Sequence, residues 1–119
     1  MTNHELEIWL SFPEVADLLD VRLRDVRALV ASNELLAVRR GNSNALAIHR
    51  DQLVINDDQW IPLVSLRGTI TALKDAGLND DDALSWLLAT SDELDDVPLQ
   101  ALRAGRVHAV RRACQMLAL

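Results

Sequence analysis

The sequence predicts a mainly α-helical fold of the α+β type, in which a short two-helix unit carries a small β-hairpin and an all-helical C-terminal region follows. Three observations predict it: a proline-containing capping box ahead of two apolar stripes in different phases over residues 11–31, two strand-forming runs around a Gly-Asn-Ser-Asn tip, and helical apolar patterning from residue 66 onward. At 119 residues, half of them hydrophobic, the chain has room for one ordinary domain or two small lobes sharing a core.

Ser11-Phe12-Pro13-Glu14 fits a capping box: Ser11 is the N-cap, Pro13 lies in the first turn where its missing N–H costs nothing, and Glu14 reaches back from N3. Val15, Leu18 and Leu19 form the stripe of this first helix, and Ala16 lets another helix approach. The stripe stops at Asp20-Val21-Arg22, and Val26, Leu29 and Val30 begin a second one. Two short helices joined by so short a turn are a helix-turn-helix unit. Asn33 stands where a left-handed C′ residue would end the second helix.

Leu35–Val38 and Ala45–Ile48 read as strands separated by Arg39-Arg40-Gly41-Asn42-Ser43-Asn44, whose Gly and Asn tolerate positive φ. Helix, turn, helix and hairpin in that order predict a winged helix-turn-helix, with Glu7–Leu10 as a short strand added to the wing. Asn56-Asp57-Asp58-Gln59, polar and aperiodic, reads as a linker. The domain division that follows is 1–56 for the winged unit and 60–119 for a helical domain packing on it.

In that second part Leu66, Ile70 and Leu73 recur at helical spacing and Gly77 ends the helix. Asn79 caps the next helix, with Asp80, Asp81 and Asp82 in its positive first turn. Capping accounts for that acidic run better than calcium, because no further ligand follows at calcium-loop spacing. Trp86, Leu87 and Leu88 thicken the core face, Pro98–Leu102 is a short helix ended by Gly105, and Val107–Leu117 is the last helix. The single cysteine, Cys114, lies in the apolar pattern of that helix and reads as a buried thiol.

The chain carries 18 acids and 12 bases, a net charge of −6, which argues against non-specific attraction to nucleic acid. The charge is unevenly spread. Residues 1–21 hold five acids and no base, whereas residues 22–50 hold six arginines against Asp25 and Glu34. Arginine suits bidentate contact with phosphate and guanine.

No apolar run approaches the roughly 20 residues of a membrane span, and the start MTNHELEI has neither the basic nor the apolar region of a signal peptide. The expectation is a soluble cytoplasmic protein with no membrane partner. His4, His49 and His108 are far apart and lack partners at ligand spacing, so no metal site is expected. There is no Gly-x-Ser-x-Gly elbow and no phosphate loop, and the pairs Asp57-Asp58 and Asp95-Asp96 read as solvated loop residues. No catalytic residue, enzymatic activity or cofactor is expected.

The constellation that does carry a mechanism is basic. In a helix beginning near Leu23, Arg24, Arg27, Ala28 and Ala31 share a face opposite Val26 and Val30. Arginines among small residues let a helix approach the major groove and reach guanine edges or phosphates. Arg39 and Arg40 at the wing would grip the backbone beside it. Each arginine taken singly is more simply a solvated helix former, and Arg24 or Arg27 has Asp20 and Glu34 as potential partners; their order along the chain favours DNA. The candidate DNA-binding set is Arg22, Arg24, Arg27, Arg39, Arg40, Asn42 and Asn44, with Asn42 and Asn44 serving the turn and Arg22 standing where such motifs place a Ser or Thr cap.

The run FPEVADLLDVRLRDVRALVASNELLAVRRG resembles the winged helix-turn-helix of MerR-like and excisionase-like DNA-binding domains. With GTITALKDAGLNDDDALSWLL and ALRAGRVHAVRRA, almost the whole chain resembles a small actinobacterial family, mycobacterial and corynebacterial in type, of winged-helix DNA-binding proteins. Some of its members are substrates of Ser/Thr protein kinases. The resemblance implies a transcriptional regulator that binds double-stranded DNA, and no phosphosite is carried over. The sequence departs from the pattern at Asp20, in place of a turn glycine, and at Arg22, in place of the cap. ALSWLLATSDELDDVPLQALRAGRVHAV also resembles the toxin-binding helices of some bacterial antitoxins, which implies as the alternative function a protein-interaction module. On either reading the C-terminal helices are the candidates for a homodimer or partner contact.

Overall fold

The computed structural model describes residues 8–117; His4, Glu5 and Glu7 lie outside the described residues. The described residues form a small α+β fold of six α-helices and two antiparallel sheets. Strand β1 (Trp9–Ser11) leads into α1 (Phe12–Leu19) and α2 (Leu23–Ala31), and the hairpin β2 (Val38–Arg40) and β3 (Ala45–His49) follows. A 3₁₀ turn, Arg50–Gln52, leads to a second hairpin, β4 (Leu53–Asn56) and β5 (Gln59–Pro62). Helices α3 (Leu66–Asp75), α4 (Asp80–Leu88), α5 (Pro98–Arg103) and α6 (Val107–Met116) complete the chain.

The local signals in residues 11–33 fold as read. Glu14 N–H donates to Ser11 Oγ at 3.2 Å and Ser11 N–H donates to Glu14 Oε1 at 2.8 Å, the two halves of the capping box. Asp20 ends α1 in the left-handed region at φ 57°, and Asn33 does the same after α2 at φ 65°. A short polar side chain makes this region accessible without glycine. Arg22 has no side-chain acceptor for the free N–H groups of α2, so only the reciprocal half of a box forms: its N–H donates to Asp25 Oδ2 at 3.0 Å.

Three expectations are corrected. The first strand of the wing is Val38–Arg40 rather than Leu35–Val38, so the tip shortens to Gly41–Asn44, closed by Asn44 N–H donating to Gly41 O at 3.1 Å. The reason lies in Gln52, whose buried amide takes both backbone groups of Leu36 and leaves no ladder there to join. Asn56–Gln59 is not a linker: Asp57 and Asp58, at φ 52° and 63°, turn the chain tightly between β4 and β5. Two successive left-handed residues match the twist of a two-residue hairpin, a role usually signalled by Asn-Gly. Accordingly the chain after residue 56 is not all helical, since β5 precedes α3.

Two apolar clusters form, one on each side of the sheet β1-β3-β2. Trp9 pairs with His49, Leu10 with Ile48, Val38 with Ala47 and Arg39 with Leu46, so alternate residues face opposite ways. Leu10 and Ile48 join Val15, Ala16 and Val26 beneath α1 and α2, while Val38 and Trp9 lie against the C-terminal helices. The segment before β2 alternates in the same way: Leu35 and Ala37 enter the first cluster, Leu36 and Val38 the second. The second cluster holds Leu66, Ile70, Leu73, Leu87, Leu99, Leu102, Val110 and Cys114. The leucines that carry the antitoxin likeness are thus spent on the chain's own core, and Trp86 is half-buried against it. Among the described residues no helix is long and apolar enough to cross a membrane.

Candidate functional site

Helix α2 buries Val26 completely and turns Arg24, Arg27, Ala28 and Ala31 to solvent, the division that its spacing dictates. Among the described residues, no ion pair joins Arg24, Arg27 or Arg39 to a carboxylate. Glu34 accepts from the Ser32 hydroxyl instead. Arg22 differs: its Nε lies 3.3 Å from Asp25 Oδ2, and both side chains are largely in solvent. The Arg22 N–H, donating to the Asp25 carboxylate, holds that carboxyl below its usual range, helped by the guanidinium and by Arg24.

The hairpin separates its two arginines. Strand alternation puts Arg39, across from Leu46, on the face that packs under α1 and α2, and Arg40 on the opposite face. Arg39 Nη1 donates to Asn44 O at 3.1 Å, which ties the guanidinium to the turn. Asn44 itself sits at φ 56° and Asn42 is exposed at the tip. Arg40 lies over the Trp9 indole, its Cζ 3.9 Å from the ring centroid, a cation–π contact directed away from α2. Trp9 in turn meets His49 edge-on at 4.9 Å. The structure therefore brings Arg24 and Arg27 together on α2 and places Arg39 on the same side of the sheet, while Arg40 joins the C-terminal side.

His49 is buried, and its Nδ1 accepts the Asp51 N–H at 3.1 Å. Burial holds its imidazole below the usual value; the Asp51 carboxylate opposes this, and Arg50, Arg40 and Arg103 add to it. Neither the platform role of Trp9 nor the burial of His49 was visible in the sequence, because both arise from the β1–β3 register.

The C-terminal helices hold these elements in place. Arg103 Nη1 donates to Asp51 O at 2.8 Å and to Leu53 O at 2.7 Å, and Gln100 Nε2 donates to Asp51 Oδ2 at 2.9 Å. At the other end, Lys74 Nζ donates to Asn33 Oδ1 at 2.9 Å, anchoring the residue that terminates α2.

This geometry defines a small α+β protein that presents an arginine-bearing helix and a hairpin on one side and braces both with four helices. Residues 63–118, which begin directly after β5, match a family model described as the Rv2175c C-terminal domain of unknown function. The chain is also similar to a solved structure, the NMR structure of Rv2175c, with a TM-score of 0.78 and 27% identity, covering 100% of this chain and 85% of that one. No curated protein matches the chain.

Proposed function

We propose that the chain is a DNA-binding protein, acting as a transcriptional regulator, in which α1, α2 and the β2–β3 hairpin work as a winged helix-turn-helix. Helix α2 enters the major groove and the wing rests on phosphate. The observation that carries this reading is the exposed face of Arg24, Arg27, Ala28 and Ala31, whose cations have no carboxylate partner among the described residues. Small residues allow close approach and free guanidiniums supply the contacts. The wing's share falls to Arg39, since Arg40 is stacked on Trp9. The expected actinobacterial winged-helix kinship belongs to the same proposal, supported by the fold shared with Rv2175c. The reading needs no catalytic step and no cofactor.

Binding of mixed genomic duplexes, followed by fluorescence anisotropy across a salt series, tests it. With about three arginines on phosphates, log K falls against log salt with a slope of about −2 to −3. No binding at low salt, or a flat salt response, rejects the reading.

A further inference from the structure

Strand β2 is the edge of its sheet, and the helix packed beside that edge is α4, which starts with three aspartates. Two clefts separate them. One, of about 300 Å³, is lined by Trp9, Val38, Arg39, Arg40, Asp81 and Leu84 among others. Its neighbour, of about 620 Å³, is lined by Arg39, Asn44, Leu46, Asn79, Asp80 and Asp81 among others. Arg39 thus shares both clefts, and Arg40 one of them, with the first turn of α4.

The three acids are not equivalent. Asp80 is paired with Lys74, Nζ to Oδ1, at 3.0 Å. Asp82 lines neither cleft, and its N–H donates to the Asn79 cap at 2.8 Å. Asp81 lines both clefts, is exposed, and has no hydrogen bond or ion pair to its carboxylate among the described residues. Arg39, which lines the same two clefts, is likewise without a carboxylate partner among the described residues and is held in position by Asn44 O.

We infer that Asp81 is an affinity-setting residue of the DNA interface: its uncompensated charge beside the wing opposes any phosphate that approaches Arg39 and marks the edge of the footprint on the α4 side. This rests on the DNA-binding reading. A unit charge within about 10 Å of a phosphate, acting largely through water, changes affinity by about two- to fivefold at low salt and much less once the screening length falls below that separation.

The test is anisotropy with labelled duplex DNA on the full chain, comparing the parent with D81N, D81E and D92N, at about 50 mM and at about 300 mM salt. Asp92, exposed in the 91–96 turn, lines neither cleft and controls for net charge. The inference expects D81N to bind about two- to fivefold tighter than the parent at low salt, with the gain shrinking at high salt. D81E and D92N should match the parent. Thermal melts of each variant confirm that folded chains are compared. A D81N gain no larger than that of D92N, or one independent of salt, overturns the inference alone. Failure of parent and variants alike to bind at low salt overturns the DNA-binding reading and the inference with it.

Discussion

The Gln52 side chain closes on both backbone groups of Leu36, accepting its N–H at 2.7 Å and donating Nε2–H to its carbonyl at 3.0 Å, with no exposure to solvent. A side chain thus completes the hydrogen bonding that a neighbouring strand would otherwise supply, at the segment where the two apolar clusters meet. Q52L keeps the volume and strands two buried backbone groups, each worth about 1–3 kcal/mol when left unpaired. Urea unfolding should show a loss of about 2–4 kcal/mol, and a loss under 1 kcal/mol would mean that the pair finds other partners.

His49 supplies a pH dependence. Its folded value lies below the usual imidazole value near 6.5, because burial disfavours the charged ring. The unfolded chain therefore takes up the proton first. Stability from this residue is fully present above about pH 6.5 and is lost as pH falls through the folded value. The urea midpoint of the parent should drop between about pH 7 and pH 5, and H49Q, which keeps an acceptor and does not titrate, should show a flatter profile over that range. Asp25, also held below its usual value, acts in a separate window, losing its contribution only in the more acidic carboxylate range.

The two wing arginines should separate cleanly. On the proposed DNA-binding reading, R39A removes a phosphate contact and should reduce the magnitude of the salt slope by about 1. R40A should leave that slope unchanged and lower stability by about 0.5–1 kcal/mol through loss of the contact with Trp9. Equal slope changes for both would contradict the placement of Arg40 on the C-terminal side.

Arg103 ties α5 to the backbone of Asp51 and Leu53. R103A should cost about 1–2 kcal/mol, discounted for the exposure of the guanidinium. In hydrogen exchange the β4–β5 amides should lose protection before those of α1, and uniform loss would show that the contact does not act locally.

Gly68 and Gly77 should respond oppositely to alanine. Gly68 lies inside α3, and a Cβ there would sit 2.8 Å from Arg111 Nη2, the movable end of a long side chain. G68A should stabilise by about 0.5 kcal/mol once the guanidinium shifts, since alanine favours the helix. Gly77 holds φ 99° after the same helix, so G77A should destabilise by about 1 kcal/mol. Thermal melts of the two variants give the signs directly.

The sequence by itself determined what depends on neighbours within a turn or two. Ser11 and Glu14 specify the start of α1, Asp20 and Asn33 permit its end and that of α2, Asn79 caps α4, and the spacing of Leu66, Ile70 and Leu73 selects the buried face of α3. The arginine face of α2 was equally legible, because 3.6-residue periodicity alone opposes Arg24 and Arg27 to Val26. What only the tertiary structure decided depends on residues far apart in the chain. Leu36 lost its strand to a glutamine sixteen residues on, and Asp57-Asp58 became a hairpin because β4 and β5 find each other. The adjacent arginines 39 and 40 read as one basic patch, yet a pleated strand sends neighbours to opposite faces. Register therefore set Arg39 on the side of α2 and Arg40 on Trp9, and packing of α4 at the sheet edge brought Asp81 into clefts that they line.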